Sequence, residues 1–124
     1  MGLQATFDLQ TINGFPVVHA TGEIDLSNVQ EFESLLEKTL ASEPTVVVIS
    51  LGHVSYLDST TFNTLVKFSR RFDGHEQGEI LVVTPESQTG KRLFELVHLD
   101  GHLHTFDRIE DAMERAIQLT AVRD

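Results

Sequence analysis

The 124-residue sequence predicts an α/β fold: a single domain, residues 1–124, with a mixed, mostly parallel sheet. We expect about four to five strands, an N-terminal hairpin and about four helices. The dipeptide Asn13-Gly14, a strong tight-turn signal, separates two β-patterned segments at the start. Two apolar strand segments, residues 45–51 and 79–83, each lie between helical patterns. Such alternation favours parallel strands joined by right-handed crossovers.

The first 26 residues are predicted to form the hairpin and a loop. Apolar residues at positions 3, 5, 7 and 9 alternate with polar ones, which is the period of a half-buried strand. Residues 15–20 form the second strand, and residues 21–26 are predicted to leave it as a loop.

The first helix is predicted over residues 28–41. Ser27 is a suitable N-cap, and Gln30 three residues later completes a capping-box pattern. Glu43-Pro44 ends the helix, because the residue before a proline avoids helical geometry. The inner face is formed by Val29, Phe32, Leu36 and Leu40.

The rest of the chain alternates strands and helices. A central strand over residues 45–51 leads through a loop to a second helix, residues 59–72, and a fourth strand follows at 79–83. A third helix begins near Pro85 and is broken by Asp100-Gly101, a short strand follows at 103–106, and Asp107 caps the last helix. The predicted inner residues of these three helices are Phe62, Leu65, Val66 and Ser69; Leu93, Phe94 and Val97; and Ile109, Ala112, Ala116 and Ile117 or Leu119.

Composition excludes several classes of function. Nine Lys and Arg against nineteen Asp and Glu give a net charge of −10, which argues against nonspecific binding to nucleic acid or to an anionic membrane. The chain contains no cysteine and no glycine-rich phosphate loop, so we expect no disulfide and no cofactor. Without a signal peptide or a run of roughly 20 apolar residues, we expect a cytoplasmic protein with no direct membrane insertion.

A group of histidines and carboxylates near the C-terminus has the composition of a metal site. His98, His102 and His104 lie close to Asp100 and Asp107 in the sequence. Ligands on one helix need a spacing of four, but Gly101 is expected to break the helix between them. We therefore interpret these histidines as surface and strand-end residues and predict no metal site.

A short basic run, Lys67, Arg70 and Arg71, lies on the outer part of the second helix. These side chains can pair with acidic groups on a partner, or they can form ordinary surface pairs within the chain. The second interpretation is favoured, because solvated helix faces commonly carry such pairs.

The residues with the clearest functional chemistry follow the second and central strands. Ligand and partner sites of open α/β sheets gather at the carboxyl ends of the strands. If these two strands are neighbours, Asp25 and Asp58 flank Ser59 at the start of the second helix. A serine there can accept a phosphate from a kinase, since a helix N-terminus favours negative charge. The alternative is that Asp58 or Ser59 only caps the helix.

The segment around Asp58-Ser59 resembles the signature of STAS domains, the family of bacterial anti-sigma factor antagonists. Family members typically read Asp-Leu-Ser before the loop and Asp-Ser-Ser-Gly-Leu-Gly at the helix start; this chain has Ser50-Leu51-Gly52 and residues 58–63 read Asp-Ser-Thr-Thr-Phe-Asn. The resemblance implies a non-enzymatic switch that binds an anti-sigma factor, itself a serine kinase, and releases a sigma factor. It implies phosphorylation of Ser59. The implied partner-binding residues are Gly22, Glu23, Asp25, Asp58, Ser59, Thr60 and Thr61.

Three positions differ from the family motif. Ser50 replaces the usual aspartate, and Thr61 and Asn63 replace the two glycines. Glycine in the first turn of a helix lets a partner backbone approach closely, whereas Thr61 adds a branched side chain. Thr60 or Thr61 as the acceptor, and a site that is never modified, therefore stay open as alternatives to Ser59.

Two other classes of function compete with the switch. The same type of domain also serves as a constitutive interaction module in stress-signalling or lipid-transport complexes, and the missing glycines favour that alternative. A small enzyme could use Asp25, Asp58 and Ser59, since a carboxylate pair can perform acid–base chemistry. The chain has no motif for a cofactor and little length for a large pocket, so we predict that it is not an enzyme.

Overall fold

Five strands form one sheet in chain order in this computed structural model, which describes residues 4–72, 78–96 and 103–121. The β1 strand runs antiparallel to β2, and the other neighbouring pairs are parallel. The predicted mixed sheet and its N-terminal hairpin are therefore confirmed. The strands are β1 (Ala5–Ile12), β2 (Phe15–Ile24), β3 (Val46–Leu57), β4 (Glu79–Val83) and β5 (Leu103–Phe106).

The hairpin turn follows from its two central residues. Asn13 and Gly14 have φ angles of 53° and 84°, so both adopt the left-handed conformation. This conformation matches the twist of two strands joined by a two-residue turn, and Asn and Gly tolerate it best. As a result Ile12 pairs directly with Phe15.

The described residues contain four α-helices, as predicted, and these cover the two faces of the sheet. Three of them pack on one face, where Phe32, Leu65 and Phe94 join the larger apolar cluster. The fourth packs on the other face, where Ala112 and Ala116 contact a smaller cluster of strand residues. The helices are α1 (Val29–Leu40), α2 (Ser59–Ser69, continued by a 3-10 turn at Arg70–Phe72), α3 (Gln88–Leu96) and α4 (Ile109–Ala121).

The strands β2 and β3 are longer than the sequence predicts. Residues 21–24 and 52–57, predicted to be loops, continue the parallel pairing up to the pair Ile24 and Leu57. The pairing shifts register between Gly22 and Glu23, where the Glu23 N–H donates to the Gln4 carbonyl oxygen at 2.8 Å. The loop prediction was wrong because a polar, glycine-containing segment can remain in a sheet when irregular pairing satisfies its backbone groups.

The start of α1 also differs from the prediction. The backbone N–H groups of Asn28 and Val29 donate to the Asp25 carbonyl oxygen at 3.1 and 2.9 Å. The Asp25 carboxylate accepts from the Ser27 N–H at 2.9 Å and from the Ser27 hydroxyl at 2.5 Å. The Ser27–Gln30 capping box was wrong, because Asp25 offers a charged acceptor two residues earlier and engages the Ser27 hydroxyl.

Smaller differences concern the helix faces. Val66 is only half-buried, whereas Phe68 is fully buried, and of the two alternatives in α4 Leu119 is half-buried while Ile117 is 49% exposed. The hydrogen-bonded backbone of α4 starts at Arg108, one residue after the predicted cap at 107.

Some predicted features lie outside the described residues: Val97, His98, Asp100-Gly101 and His102. Among the described residues, no helix has the length and apolar character that crossing a lipid bilayer requires.

Candidate functional site

The carboxyl ends of β2 and β3 lie side by side, which is the condition under which Asp25 and Asp58 were expected to flank Ser59. Ile24 and Leu57 are the last paired residues of the two strands, so Asp25 and Asp58 follow at adjacent positions. Neighbouring strands of a sheet are separated by about 4.8 Å. The site is therefore the edge of the sheet formed by the carboxyl ends of β2 and β3, where the turn at residues 25–28 meets the first turn of α2.

Asp58 caps helix α2. It has an extended backbone, with φ −117° and ψ −172°, and its carboxylate accepts from the Thr60 N–H at 3.0 Å. The Thr60 hydroxyl donates to the same carboxylate oxygen. The sequence offered Asp58 and Ser59 as possible capping residues, and Asp58 is the one that caps the helix. The Thr60 hydroxyl is engaged in its hydrogen bond to Asp58.

Ser59 is the first residue of α2 and its side chain is exposed. Its hydroxyl makes no hydrogen bond to any other residue that the structure describes. The first turn of a helix presents backbone N–H groups and the positive end of the helix dipole. The site therefore combines an accessible hydroxyl with a local field that favours an added negative charge.

Thr61 does not belong to this surface. It is fully buried, with an exposed fraction of 0%, and its hydroxyl has no hydrogen-bond partner among the described residues. Each residue of a helix is rotated by about 100° from the one before, so Thr61 faces inward where Ser59 faces outward. In this fold Thr61 is therefore not accessible to a partner or to a kinase in the way that Ser59 is.

Gly22 and Glu23 lie on β2, beside the site and not in a loop. Gly22 has a φ of 90°, and a Cβ atom built there would lie 2.5 Å from the Gln4 carbonyl oxygen. The Gly22 carbonyl oxygen accepts from the Ser55 hydroxyl at 3.3 Å, and Glu23 pairs with Tyr56 of β3. Gly22 therefore has a structural reason to be glycine: it lets β1 pass close to the bulge in β2.

Two exposed apolar side chains at this edge were missed by the sequence analysis. Leu26 is 75% exposed in the turn before α1, and Tyr56 is 50% exposed near the end of β3. The available signal was an apolar residue next to each of Asp25 and Leu57. This signal is weak, because the segments around both residues have the partly polar composition of loops.

The basic run of α2 pairs with α1 of the same chain. Lys67 lies 3.7 Å from the Glu33 carboxylate, and Arg71 pairs with Glu37. Both cations also lie over the ring of Phe68, at 5.4 Å from its centre. The favoured interpretation, ordinary surface pairs, is therefore confirmed for Lys67 and Arg71.

Of the group of histidines and carboxylates near the C-terminus, only His104 and Asp107 lie within the described residues. His104 lies on β5, with its Nε2 atom 3.6 Å from a carboxylate oxygen of Glu79. Among the described residues, no three His, Asp or Glu side chains are grouped so that they could hold a metal ion.

Comparisons with known proteins agree on one family. A family model for the STAS domain matches residues 6–112. The anti-sigma-F factor antagonist RsfB of Mycobacterium tuberculosis is 29% identical over 101 residues, which cover 82% of this chain and 80% of RsfB. Both proteins therefore align over most of their length.

Solved structures show the same likeness. The crystal structure of an anti-sigma factor antagonist from Mycobacterium paratuberculosis superimposes with a TM-score of 0.80 and 26% identity, covering 98% of this chain and 96% of that one. The unphosphorylated form of the anti-sigma factor antagonist SpoIIAA has a TM-score of 0.73 at 18% identity, covering 91% and 97% of the two chains. At that identity the second likeness concerns the fold alone.

Proposed function

The chain belongs to the STAS domain family, and we propose that it is an anti-sigma factor antagonist whose partner binding is controlled by phosphorylation of Ser59. The observation that carries the proposal is the exposed Ser59 hydroxyl, which has no hydrogen-bond partner among the described residues and directly follows the capping residue Asp58. The names of the relatives, RsfB and the mycobacterial antagonist of known structure, support the class of function.

The partner is an anti-sigma factor that is also a serine kinase. Its active site transfers the γ-phosphoryl group of ATP to the Ser59 Oγ atom: the new Oγ–P bond forms, the bond to the ADP oxygen breaks, and the hydroxyl proton passes to a base of the kinase. This chain needs to supply only an accessible hydroxyl. We therefore assign it the role of substrate and binding partner, not of enzyme.

Phosphorylation changes the binding surface and leaves the fold intact. The phosphoserine carries about −1.5 to −2 charges, which the N-terminus of α2 stabilises. Asp25 and Asp58 at the same edge repel this charge, and the bulk of the phosphate removes the fit to the partner. The modified chain then releases the anti-sigma factor, which becomes free to bind its sigma factor again.

The partner-binding surface consists of the edge formed by β2, β3 and the first turn of α2. We assign to it Asp25, Asp58 and Ser59, with Thr60, Glu23 and Gly22 at its border. ATP and a sigma factor are both found in the cytoplasm, so the proposed switch acts there.

Phosphorylation in vitro tests this proposal. The purified chain is mixed with ATP and, in turn, with each serine-kinase anti-sigma factor of the organism that carries the gene. We expect one of them to add a single phosphate, seen by intact-protein mass spectrometry, and Ser59→Ala to abolish it. Ser34→Ala, which removes another exposed serine on α1, is the matched control and should be phosphorylated like the wild type.

Two results would count against the switch. Undiminished phosphate uptake by Ser59→Ala would reject Ser59 as the acceptor. Stable binding of a partner with no phosphate transfer to any residue would favour a constitutive interaction module instead.

A further inference from the structure

We propose that Leu26 and Tyr56 are the apolar anchors of the docking surface, and that they insert into apolar pockets of the anti-sigma factor bordered by lysine or arginine side chains. This inference rests on the proposed function. It adds two residues that neither the family motif nor the sequence analysis contains, and it specifies the chemistry of the partner surface.

The first argument is exposure at one place. Among the described residues, the large apolar side chains that are clearly exposed are Leu9, Leu26, Tyr56, Leu96 and Ile117. Ile24 of β2 pairs with Leu57 of β3. Leu26 lies two residues after Ile24, and Tyr56 lies one residue before Leu57. Exposed leucine and tyrosine side chains at the border of a functional edge indicate a protein contact, since apolar area gains most from burial there.

The second argument is that the turn carrying Leu26 is fixed. The Asp25 carboxylate accepts two hydrogen bonds from Ser27. The Asn28 side-chain amide makes two hydrogen bonds to the backbone: its oxygen accepts from the Asp25 N–H at 3.1 Å, and its nitrogen donates to the Glu23 carbonyl oxygen at 2.9 Å. When a partner buries a side chain on such a turn, side-chain rotamer freedom is lost but little further backbone entropy. Leu26 is thus presented for docking at little cost in backbone entropy.

The third argument is the charge around the anchors. Residues 15–37 and 46–66, which form this edge and the elements leading into it, contain no lysine or arginine. They contribute Glu23, Asp25 and Asp58 beside the anchors. A partner of complementary charge therefore has basic groups around the pockets, and the two surfaces attract each other before contact.

This arrangement also explains how a phosphate can release a basic partner. Tyr56 lies at the end of β3 and Ser59 begins α2 two residues after that strand ends, so a phosphate on Ser59 is added to the same end of the sheet that carries the anchors. A phosphate is strongly hydrated, and docking the anchors would bury part of it without fully replacing its water. Release follows when the loss of anchor contacts outweighs the added attraction to basic groups.

Binding kinetics with the unphosphorylated chain test the inference. The probe is the anti-sigma factor that phosphorylates Ser59 in the assay above, immobilised without ATP. We expect Tyr56→Ala to weaken binding by about 30-fold or more, the level of an interface hot spot, and Leu26→Ala by about 10-fold, both mainly through faster dissociation. Tyr56→Thr, which replaces tyrosine with another residue that favours strands, should weaken binding like the alanine variant.

Two matched controls share the exposure of the anchors but lie elsewhere. Leu96→Ala removes a leucine that is 71% exposed at the end of α3, and Ile117→Ala removes an isoleucine that is 49% exposed on α4. Both should bind within about twofold of the wild type, because surface positions outside the contact have little effect. Thermal unfolding of every variant verifies that the fold is unchanged.

The possible outcomes separate the two proposals. If the wild type binds and is phosphorylated but the anchor variants bind as well as the controls, the anchor inference is overturned and the proposed function stands. If no anti-sigma factor binds the wild type, the proposed function fails and the anchor inference fails with it.

Discussion

Thr61 offers a test of the structure that is independent of any partner. Its hydroxyl is fully buried and has no hydrogen-bond partner among the described residues. Removing water from a hydroxyl without replacing its hydrogen bonds costs about 1–3 kcal/mol. The folded state carries this cost, and the unfolded chain does not.

The substitution Thr61→Val removes the hydroxyl and keeps the shape of the side chain. Valine and threonine have similar helix propensities, so the change in the free energy of unfolding reports mainly the hydroxyl. We expect Thr61→Val to be more stable than the wild type by about 1–3 kcal/mol. For a chain of this size each kcal/mol raises the melting temperature by about 3–5 °C.

Urea unfolding followed by circular dichroism measures the effect. The same substitution one turn later, Thr64→Val, is the matched control: Thr64 is 2% exposed, but its hydroxyl donates to the Glu33 carboxylate at 3.2 Å. We expect that variant to lose about 1 kcal/mol of stability, because it leaves an acceptor without its donor. The two substitutions should therefore have opposite signs.

One result would refute the reasoning about Thr61. A loss of about 1 kcal/mol or more in Thr61→Val, similar to that of Thr64→Val, would mean that the Thr61 hydroxyl is hydrogen-bonded in solution. In that case the buried threonine stabilises the first turn of α2.

Two further substitutions test how the site is built. Gly22→Ala should destabilise the chain by about 2 kcal/mol or more, measured by thermal unfolding, since a φ of 90° and the approach of the Gln4 carbonyl oxygen both disfavour a Cβ atom; an unchanged melting temperature would contradict the bulge. Asp58→Ala should cost about 1 kcal/mol in urea unfolding, because the Thr60 N–H loses its acceptor, while Asp58→Asn should lose only part of that. Equal stability of the three proteins would show that the cap contributes nothing.

The sequence predicts the order of strands and helices along the chain, and the hairpin, because both follow from local signals. Asn13-Gly14 has few conformational choices, and the alternation of strands and helices limits the topology. The ends of β2 and β3 could not be predicted, because the pairing of Gly22 with Val54 and of Glu23 with Tyr56 depends on contacts between two distant segments. Local propensity favours a loop there, and the sheet overrides it.

The candidate site was predicted in part. The positions of Asp25, Asp58 and Ser59 after two strands, together with the resemblance to STAS domains, indicated these residues, and the structure adds that Asp58 is the cap and that Ser59 is exposed. The burial of Thr61 depends on the rotation of α2 against the core, which the family motif does not reveal. Leu26 was missed because the role of an exposed apolar residue depends on its neighbours in space.

The affinity of the anti-sigma factor for the two forms of the chain tests the central claim most directly. The chain is phosphorylated by the same anti-sigma factor acting as a kinase, and tandem mass spectrometry locates the phosphate on Ser59. Both forms of the chain are then titrated with the anti-sigma factor in a calorimeter. We expect the phosphorylated form to bind at least about tenfold more weakly, equivalent to about 1.4 kcal/mol. Equal affinities, or a phosphate found on another residue, would contradict the account.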